Sequence, residues 1–236
     1  TAFSHPLMAR RLKTTAQPTL PRLRRLIEAA LRTALPPPSR PPAVIHRAMR
    51  YGVLSGGKRF RPLLCLGACE AVGRPARRAL AAACAVELIH AYSLVHDDLP
   101  AMDNARQRRG RPTCHRQFGE GNAILAGDAL LTLAFDLISR NGTPRKSLGC
   151  RPASHRGPCS ARGERSRMDG ASNTLEILRV LGRASGTEGL IGGQVLDLEL
   201  LQGLRKAEPQ ALIHIAQRKT AALITASVVA GALAGG

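Results

Sequence analysis

The 236-residue sequence predicts an all-α fold, and three observations carry that prediction. Apolar residues recur at helical spacing through most of the chain. No stretch alternates convincingly between apolar and polar residues as a half-buried strand would. Aromatic residues make up only 3% and Trp is absent, while Ala, Leu and Gly are plentiful. That composition suits close packing between helices better than a sheet, which draws on Val, Ile, Thr and aromatics. The expectation is roughly seven or eight helices around one sizeable core.

Residues 1–42 read as a basic, Pro- and Arg-rich lead-in, partly disordered, with one short helical pattern over Leu23–Leu35. The run Pro36-Pro37-Pro38-Ser39-Arg40-Pro41-Pro42 ends that pattern, because proline cannot continue a helix interior. The main helical domain is expected over 43–236. Helical spacing resumes at Ala43–Leu54, breaks at Ser55-Gly56-Gly57, and returns in the apolar run Leu63–Val72. Arg77–Leu99 reads as a long buried helix with a polar stripe formed by Glu87, His90, Ser93 and Asp97. His90 and Asp97 are seven apart, only about 20° off register on an ideal helix. A charged loop, Asp103–Arg116, precedes the apolar helix Ala123–Ser139. Residues 141–173 are rich in Arg, Pro, Gly and Ser without sustained period, and read as an irregular insertion. Helical patterns close the chain at Thr174–Ala184, Glu188–Leu204 and Pro209–Leu233.

The formal charge of +19 attracts phosphates of any kind: nucleic acid, an anionic membrane or small diphosphates. The basic residues concentrate in 10–50 and 140–167, without interleaved aromatics or a finger-type metal spacing, so no specific nucleic-acid binding is expected. The six cysteines form no Cys-x-x-Cys pair, and several lie in apolar runs, which points to free thiols in a reducing, cytoplasmic setting. The start of the chain has no signal-peptide core. It does carry a basic stretch with no acid before Glu28, which leaves organellar targeting, read-through and a fragment boundary all open. Thr220–Gly236 is uncharged but Ala- and Gly-rich and short for a membrane span, so it reads as a buried helix and no span is expected.

Four local patterns carry chemistry. The first is His96-Asp97-Asp98-Leu99-Pro100-Ala101-Met102-Asp103. Three carboxylates at the end of an apolar helix are costly unless something positive neutralises them. Hard oxygen donors suit Mg²⁺, which is held by one or two carboxylates plus substrate phosphates. On an unbroken helix Asp97 and Asp103 would lie about 240° apart. Pro100 argues for a kink or helix end that brings Asp103 back, and a solvated acidic turn is the plainer alternative. The second pattern is Arg108-Arg109-Gly110-Arg111, whose guanidinium forks match phosphate oxygens, although alone it is a charged loop. The third is Gly56-Gly57-Lys58-Arg59-Phe60-Arg61-Pro62, where glycines allow close backbone approach and Lys58 and Arg61 add charge before a helix. It lacks P-loop spacing. The fourth is Gly192-Gly193-Gln194 through Asp197, followed by Lys219-Thr220: polar groups inside apolar helices that need partners or a ligand.

In this order the four patterns resemble the trans-isoprenyl diphosphate synthases of bacterial farnesyl/geranylgeranyl diphosphate synthase type, from about Ala43 to Gly236. The resemblance implies an isoprenoid-synthase-like helical bundle around a central cavity. It implies that Asp97 and Asp103, with Asp98 supporting, bind Mg²⁺ that bridges an allylic diphosphate. It further implies that Lys58, Arg61, His90 and Arg109 hold isopentenyl diphosphate. Arg108, Lys219 and Thr220 would contact the allylic diphosphate, with Gln194 and Asp197 nearby. The implied reaction is condensation of isopentenyl diphosphate with a dimethylallyl or geranyl diphosphate through an allylic cation, and the implied assembly is a homodimer. Tyr92 and Ser93, five and four residues before Asp97, occupy the positions that resemble a chain-length floor. A bulky Tyr92 there favours a C15 product over C20; as a plain core residue it would say nothing about length. The sequence departs from the family pattern at Asn104, Ala105 and Arg106, where further acids are usual, and across 141–173. The family's second aspartate-rich motif would follow Gly236, so the resemblance implies a chain truncated at its C-terminal end with activity largely lost. A non-catalytic partner subunit is the alternative reading, and a basic nucleic-acid binder a remote third.

Overall fold

The computed structural model describes residues 19–142 and 161–236, with side chains for 19–140 and 173–236. The described residues form ten α-helices: α1 Thr19–Ala34, α2 Ala43–Leu54, α3 Phe60–Ala71, α4 Leu80–Asp97, α5 Cys114–Phe118, α6 Glu120–Gly142, α7 Ala161–Ser185, α8 Leu190–Leu201, α9 Pro209–Ala216 and α10 Ala222–Gly235. A 3₁₀ turn, Ala76–Ala79, leads into α4.

Helix α4 is the centre of the bundle. Every residue from Ala82 to Ile89 is buried, so the helix is covered on all sides. Four alanines among its buried positions (Ala82, Ala83, Ala85, Ala91) let α1, α2, α3, α6 and α10 approach closely. The flanking helices are one-sided. On α6 the buried residues Ala123, Ala126, Leu130, Ala134 and Ile138 recur every three or four positions, which is the stripe a core-facing helix shows. Helix α4 (with its 3₁₀ lead, 76–97) and α6 are each long and apolar enough to cross a membrane by length and composition; 67% of the first is already buried inside the protein. Thr220–Gly236 is not among such helices.

Several expectations are corrected. The lead-in assigned to 1–42 is, from residue 19 onward, part of the core: Leu23, Ile27, Leu31 and Leu35 of α1 and its end are buried at four-residue spacing. Arg50 Nη1 donates to the carbonyls of Arg32, Leu35 and Pro36, satisfying acceptors that the end of α1 leaves open. Residues 1–18 and 143–160 lie outside the described residues. The insertion expected to run to 173 gives way to helix at Ala161, earlier than local composition suggests. A two-residue antiparallel ladder pairs Gln107–Arg108 (β1) with Arg111–Pro112 (β2), a hairpin too short to leave an alternation pattern. The single helix expected over Pro209–Leu233 is interrupted by a π-helical segment, Gln217–Ala221. Its one-residue excess leaves the apolar period nearly unchanged, so periodicity cannot reveal it.

Candidate active site

The first group of candidate residues converges on a cavity of about 680 Å³. Lys58, Arg61, His90 and Arg109 all line it. They arrive from four places: the loop before α3 (Lys58), the first turn of α3 (Arg61), the polar stripe of α4 (His90) and the β1–β2 turn (Arg109). Gly56 and Gly57 turn that loop with positive φ, 94° and 137°. A Cβ at Gly57 would fall 2.8 Å from the Arg109 guanidinium, so only glycine lets the arginine lie there. Arg109 itself takes a left-handed φ of 54° and donates to the Gly56 carbonyl. With so many cations gathered, burial holds Arg61 and Arg109 below the ordinary arginine value, and Glu87 partly offsets this in each case. Arg61 Nε is buried without a hydrogen-bond partner. Desolvation and the surrounding arginines push His90 down to about 3, so its imidazole is neutral at pH 7. An orphaned guanidinium N–H, clustered arginines and a neutral histidine make a site that gains stability from a polyanion.

Two residues of this cavity were not apparent from the sequence. Arg24 of α1 lines it and donates from Nη2 to the Gly57 carbonyl at 3.0 Å. Arg59, the residue between the two recognised cations, points away from the cavity floor into the core. Its side chain is 1% exposed and every nitrogen is engaged. Nε donates to Glu28 at 2.7 Å, Nη1 to Glu87 at 2.6 Å and Nη2 to the Val53 carbonyl at 2.9 Å. Burial opposes its charge, but the hydrogen bonds it donates to Glu28 and Glu87 outweigh that and hold its pKa above the ordinary value. No local sequence signal marks such a partner, because the three acceptors belong to three different helices.

The second group gathers where α4 ends. The backbone N–H of Asp103 donates to the Asp97 carbonyl at 2.9 Å, so the Leu99–Asn104 turn returns Asp103 to the helix end. Burial raises Asp97 to about 6; Lys219 opposes this, while Asp103 adds to it. Neither side chain has a hydrogen bond or ion pair among the described residues. Asp97 is half-buried and Asp103 exposed, and two carboxylates without hydrogen-bonded partners are a donor set that suits a Mg²⁺ completed by phosphate oxygens. No three His, Cys, Asp or Glu side chains among the described residues form a group that could hold a metal ion.

Asp98 departs from its expected role as a metal ligand. Its carboxylate, 4% exposed, accepts from Arg108 Nε at 2.9 Å on both oxygens and from Nη2 at 2.8 Å. A carboxylate buried this far needs a bidentate counter-ion, and Arg108 on β1 supplies it. The hairpin is held in turn by Tyr51 of α2, whose hydroxyl donates to the Pro112 carbonyl at 2.7 Å and whose ring lies 4.9 Å beneath the Arg111 guanidinium.

The remaining candidates sit on α8 and the π-helical segment. Lys219 pairs with Asp197. Gly193 lets the two elements touch backbone to backbone: a Cβ there would fall 2.2 Å from the Lys219 amide nitrogen. Gln194 is half-buried and Thr220 exposed, and the structure does not bring either into contact with the Asp97 corner. Tyr92 is buried on α4 with its ring edge-on to His96 at 5.8 Å, and its hydroxyl has no partner. Ser93 donates to the His90 carbonyl at 2.9 Å, a local helix bond. Of the cysteines, Cys65, Cys69, Cys84 and Cys114 are buried free thiols, and burial pushes Cys84 up to about 12 and Cys114 to about 11.

Comparison with known proteins matches residues 42–236 to the polyprenyl synthetase family. A chloroplastic geranylgeranyl pyrophosphate synthase of Capsicum annuum is 47% identical over 83% of this chain and 46% of its own length. A chloroplastic heterodimeric geranylgeranyl pyrophosphate synthase large subunit 1 of Arabidopsis thaliana is 44% identical over 89% of this chain and 51% of its own. The chain thus spans about half the length of the curated relatives it matches. Among solved structures, an FPP/GFPP synthase from Zymomonas mobilis superposes with a TM-score of 0.77 at 33% identity, covering 92% of this chain and 69% of that one. A geranyltransferase from Legionella pneumophila gives 0.74 at 33% identity, covering 92% and 67%. With the motif order, the helical bundle and the two facing charge clusters in agreement, the chain belongs to the polyprenyl synthetase family, the trans-isoprenyl diphosphate synthases.

Proposed function

We propose that the chain is a trans-prenyltransferase that joins isopentenyl diphosphate to an allylic diphosphate. One observation carries this reading: a cationic cavity and an unneutralised carboxylate pair share the central helix, His90 and Asp97 standing about 10 Å apart along it. That is the spacing for two diphosphates held on separate charge systems. Lys58, Arg61 and Arg109 neutralise the diphosphate of isopentenyl diphosphate, and neutral His90 offers a ring nitrogen to it. Asp97 and Asp103 would hold a Mg²⁺ completed by phosphate oxygens, and that ion would supply positive charge to the departing diphosphate. Lys219, whose charge reaches Asp97, would face the same allylic group, Thr220 and Gln194 are assigned there from the motifs alone, and Arg108 acts chiefly through Asp98. The apolar wall of α4 keeps water from the allylic cation; addition of the alkene forms the new C–C bond and leaves a tertiary cation, which then loses a proton.

The product we infer is C15. Support comes from Tyr92, a bulky side chain buried on α4 five residues before Asp97, with Ser93 beside it. The curated relatives are named geranylgeranyl pyrophosphate synthases, which favours C20. Labelled isopentenyl diphosphate with geranyl diphosphate, with and without Mg²⁺, followed by product-length analysis, decides both points. A Mg²⁺-dependent C15 product, lengthened in Tyr92→Ala, is expected; C20 from the unaltered chain overturns the chain-length reading, and no binding of either diphosphate overturns the enzyme reading.

A second reading is favoured by the relative named as the large subunit of a heterodimer. In it the chain binds diphosphates but turns over only when paired. Light scattering alone and with candidate subunits separates this from the homodimer expected for an independent enzyme. For compartment, relatives named chloroplastic favour an organelle over the cytoplasm, in keeping with the acid-free basic stretch before Glu28.

A further inference from the structure

The diphosphate cavity has a wall that the recognised motifs do not contain. Helix α1 meets the cavity loop at two points. Arg24 lines the cavity and donates to the Gly57 carbonyl at 3.0 Å, and Glu28, one turn further along, accepts from Arg59 at 2.7 Å. Arg59 is the hinge between that loop and α3. It has a left-handed φ of 53°, a strained conformation for arginine that persists only when its surroundings hold it. Its guanidinium simultaneously binds Glu87, itself a cavity-lining residue of α4, and the Val53 carbonyl in the last turn of α2. Lys58 precedes Arg59 directly and Arg61 follows two residues later. Any rotation of the Arg59 backbone therefore moves both cavity cations together.

From this geometry we infer that Glu28 is a positioning residue for the isopentenyl diphosphate site: by locking Arg59 it sets where Lys58 and Arg61 point, and docking of α1 is thereby coupled to occupancy of the cavity. The inference rests on the reading that this cavity takes a diphosphate. It makes a claim opposite in sign to simple electrostatics. Glu28 is a negative charge near a cationic cavity, so its removal should tighten anion binding if charge alone matters. Positioning requires the reverse. Without Glu28 the Arg59 fork keeps only Glu87 and Val53, the loop keeps only the Arg24–Gly57 tie to α1, and the two cations lose their common register. Because coupling between two events is reciprocal, diphosphate binding must also hold α1 in its docked position.

The test is calorimetric titration of isopentenyl diphosphate into the wild-type chain and Glu28→Gln, at a temperature where circular dichroism shows both folded. Glu28→Gln is expected to bind about tenfold more weakly, within the usual range of coupling between sites. Hydrogen–deuterium exchange of the wild-type chain with and without isopentenyl diphosphate is the second measurement, and it stands even if the variant does not fold. Residues 23–34 of α1 should exchange more slowly when the diphosphate is bound. Equal or tighter binding by Glu28→Gln overturns the inference, and so does exchange in α1 that ignores the ligand. If the wild-type chain binds no diphosphate, the underlying reading fails first and the inference with it.

Discussion

Replacing Arg108 by Met should destabilise the ligand-free chain more than neutralising its partner. Asp98 is 4% exposed and depends on Arg108 for three hydrogen bonds, whereas Arg108 is 35% exposed. Removing the arginine leaves a buried carboxylate with no counter-charge. Breaking a buried pair in this way costs about 3–5 kcal/mol, and the partial exposure of Arg108 points to the lower end, about 3 kcal/mol. For a chain of this length that corresponds to a fall in Tm of about 6–12 °C. Asp98→Asn removes the charge from the buried side and leaves an arginine that water can still reach, so its cost should be about 1–2 kcal/mol. The double variant should recover part of the loss, with a coupling of about 1.5 kcal/mol or more across the cycle. The assay is thermal and urea unfolding followed by circular dichroism, without diphosphate or Mg²⁺. Additive losses would refute the pairing and restore Asp98 as a candidate metal ligand. Equal losses in the two single variants would refute the argument from burial.

Three further outcomes follow from other contacts. His90 has a pKa of about 3 in the fold against an ordinary 6.5, so between those values the unfolded chain binds a proton that the folded chain refuses. Its contribution to stability is present above about pH 6.5 and is lost as pH falls toward 3; His90→Gln should flatten that part of a stability–pH curve, and an unchanged slope would count against a buried neutral imidazole. Tyr51→Phe removes the hydroxyl bond to Pro112 at 2.7 Å, so a loss of about 1 kcal/mol by urea unfolding is expected, with weaker isopentenyl diphosphate binding as the Arg109 hairpin loosens. Gly193→Ala drives a Cβ to 2.2 Å from the Lys219 backbone, which has no side chain that can move aside; the expected cost is about 3 kcal/mol, and a wild-type melting temperature would show that α8 and the π-helical segment do not pack this tightly.

Much of the site was legible because its residues lie close in sequence. Asp97 and Asp103 belong to one run, and the proline between them already argued for a turn. Lys58, Arg61 and Arg109 were recognisable from their motifs, and the cavity they share is a matter of folding. What stayed hidden were contacts between residues far apart in sequence. Asp98 looked like a third ligand beside Asp97, and only the position of the hairpin shows that Arg108 occupies both its oxygens. Nothing in its motif singles out Arg59, and only the fold shows that it serves the core.

By itself the sequence determined the helices, the family and the two charge clusters. Apolar period and breaking residues act over a few positions, and so are written locally along the chain. Only the tertiary structure decided which charges are free to meet a ligand and which are spent on one another. Desolvation assigns that division: a carboxylate or guanidinium carried into the core must find a partner, and the partner is whichever group the packing of distant helices brings within reach. Glu28 and Asp98 were given arginines in this way, 31 and 10 residues away. Asp97 and Asp103, at the end of the central helix, have no hydrogen-bonded arginine among the described residues, which is why they are the carboxylates proposed to meet a ligand.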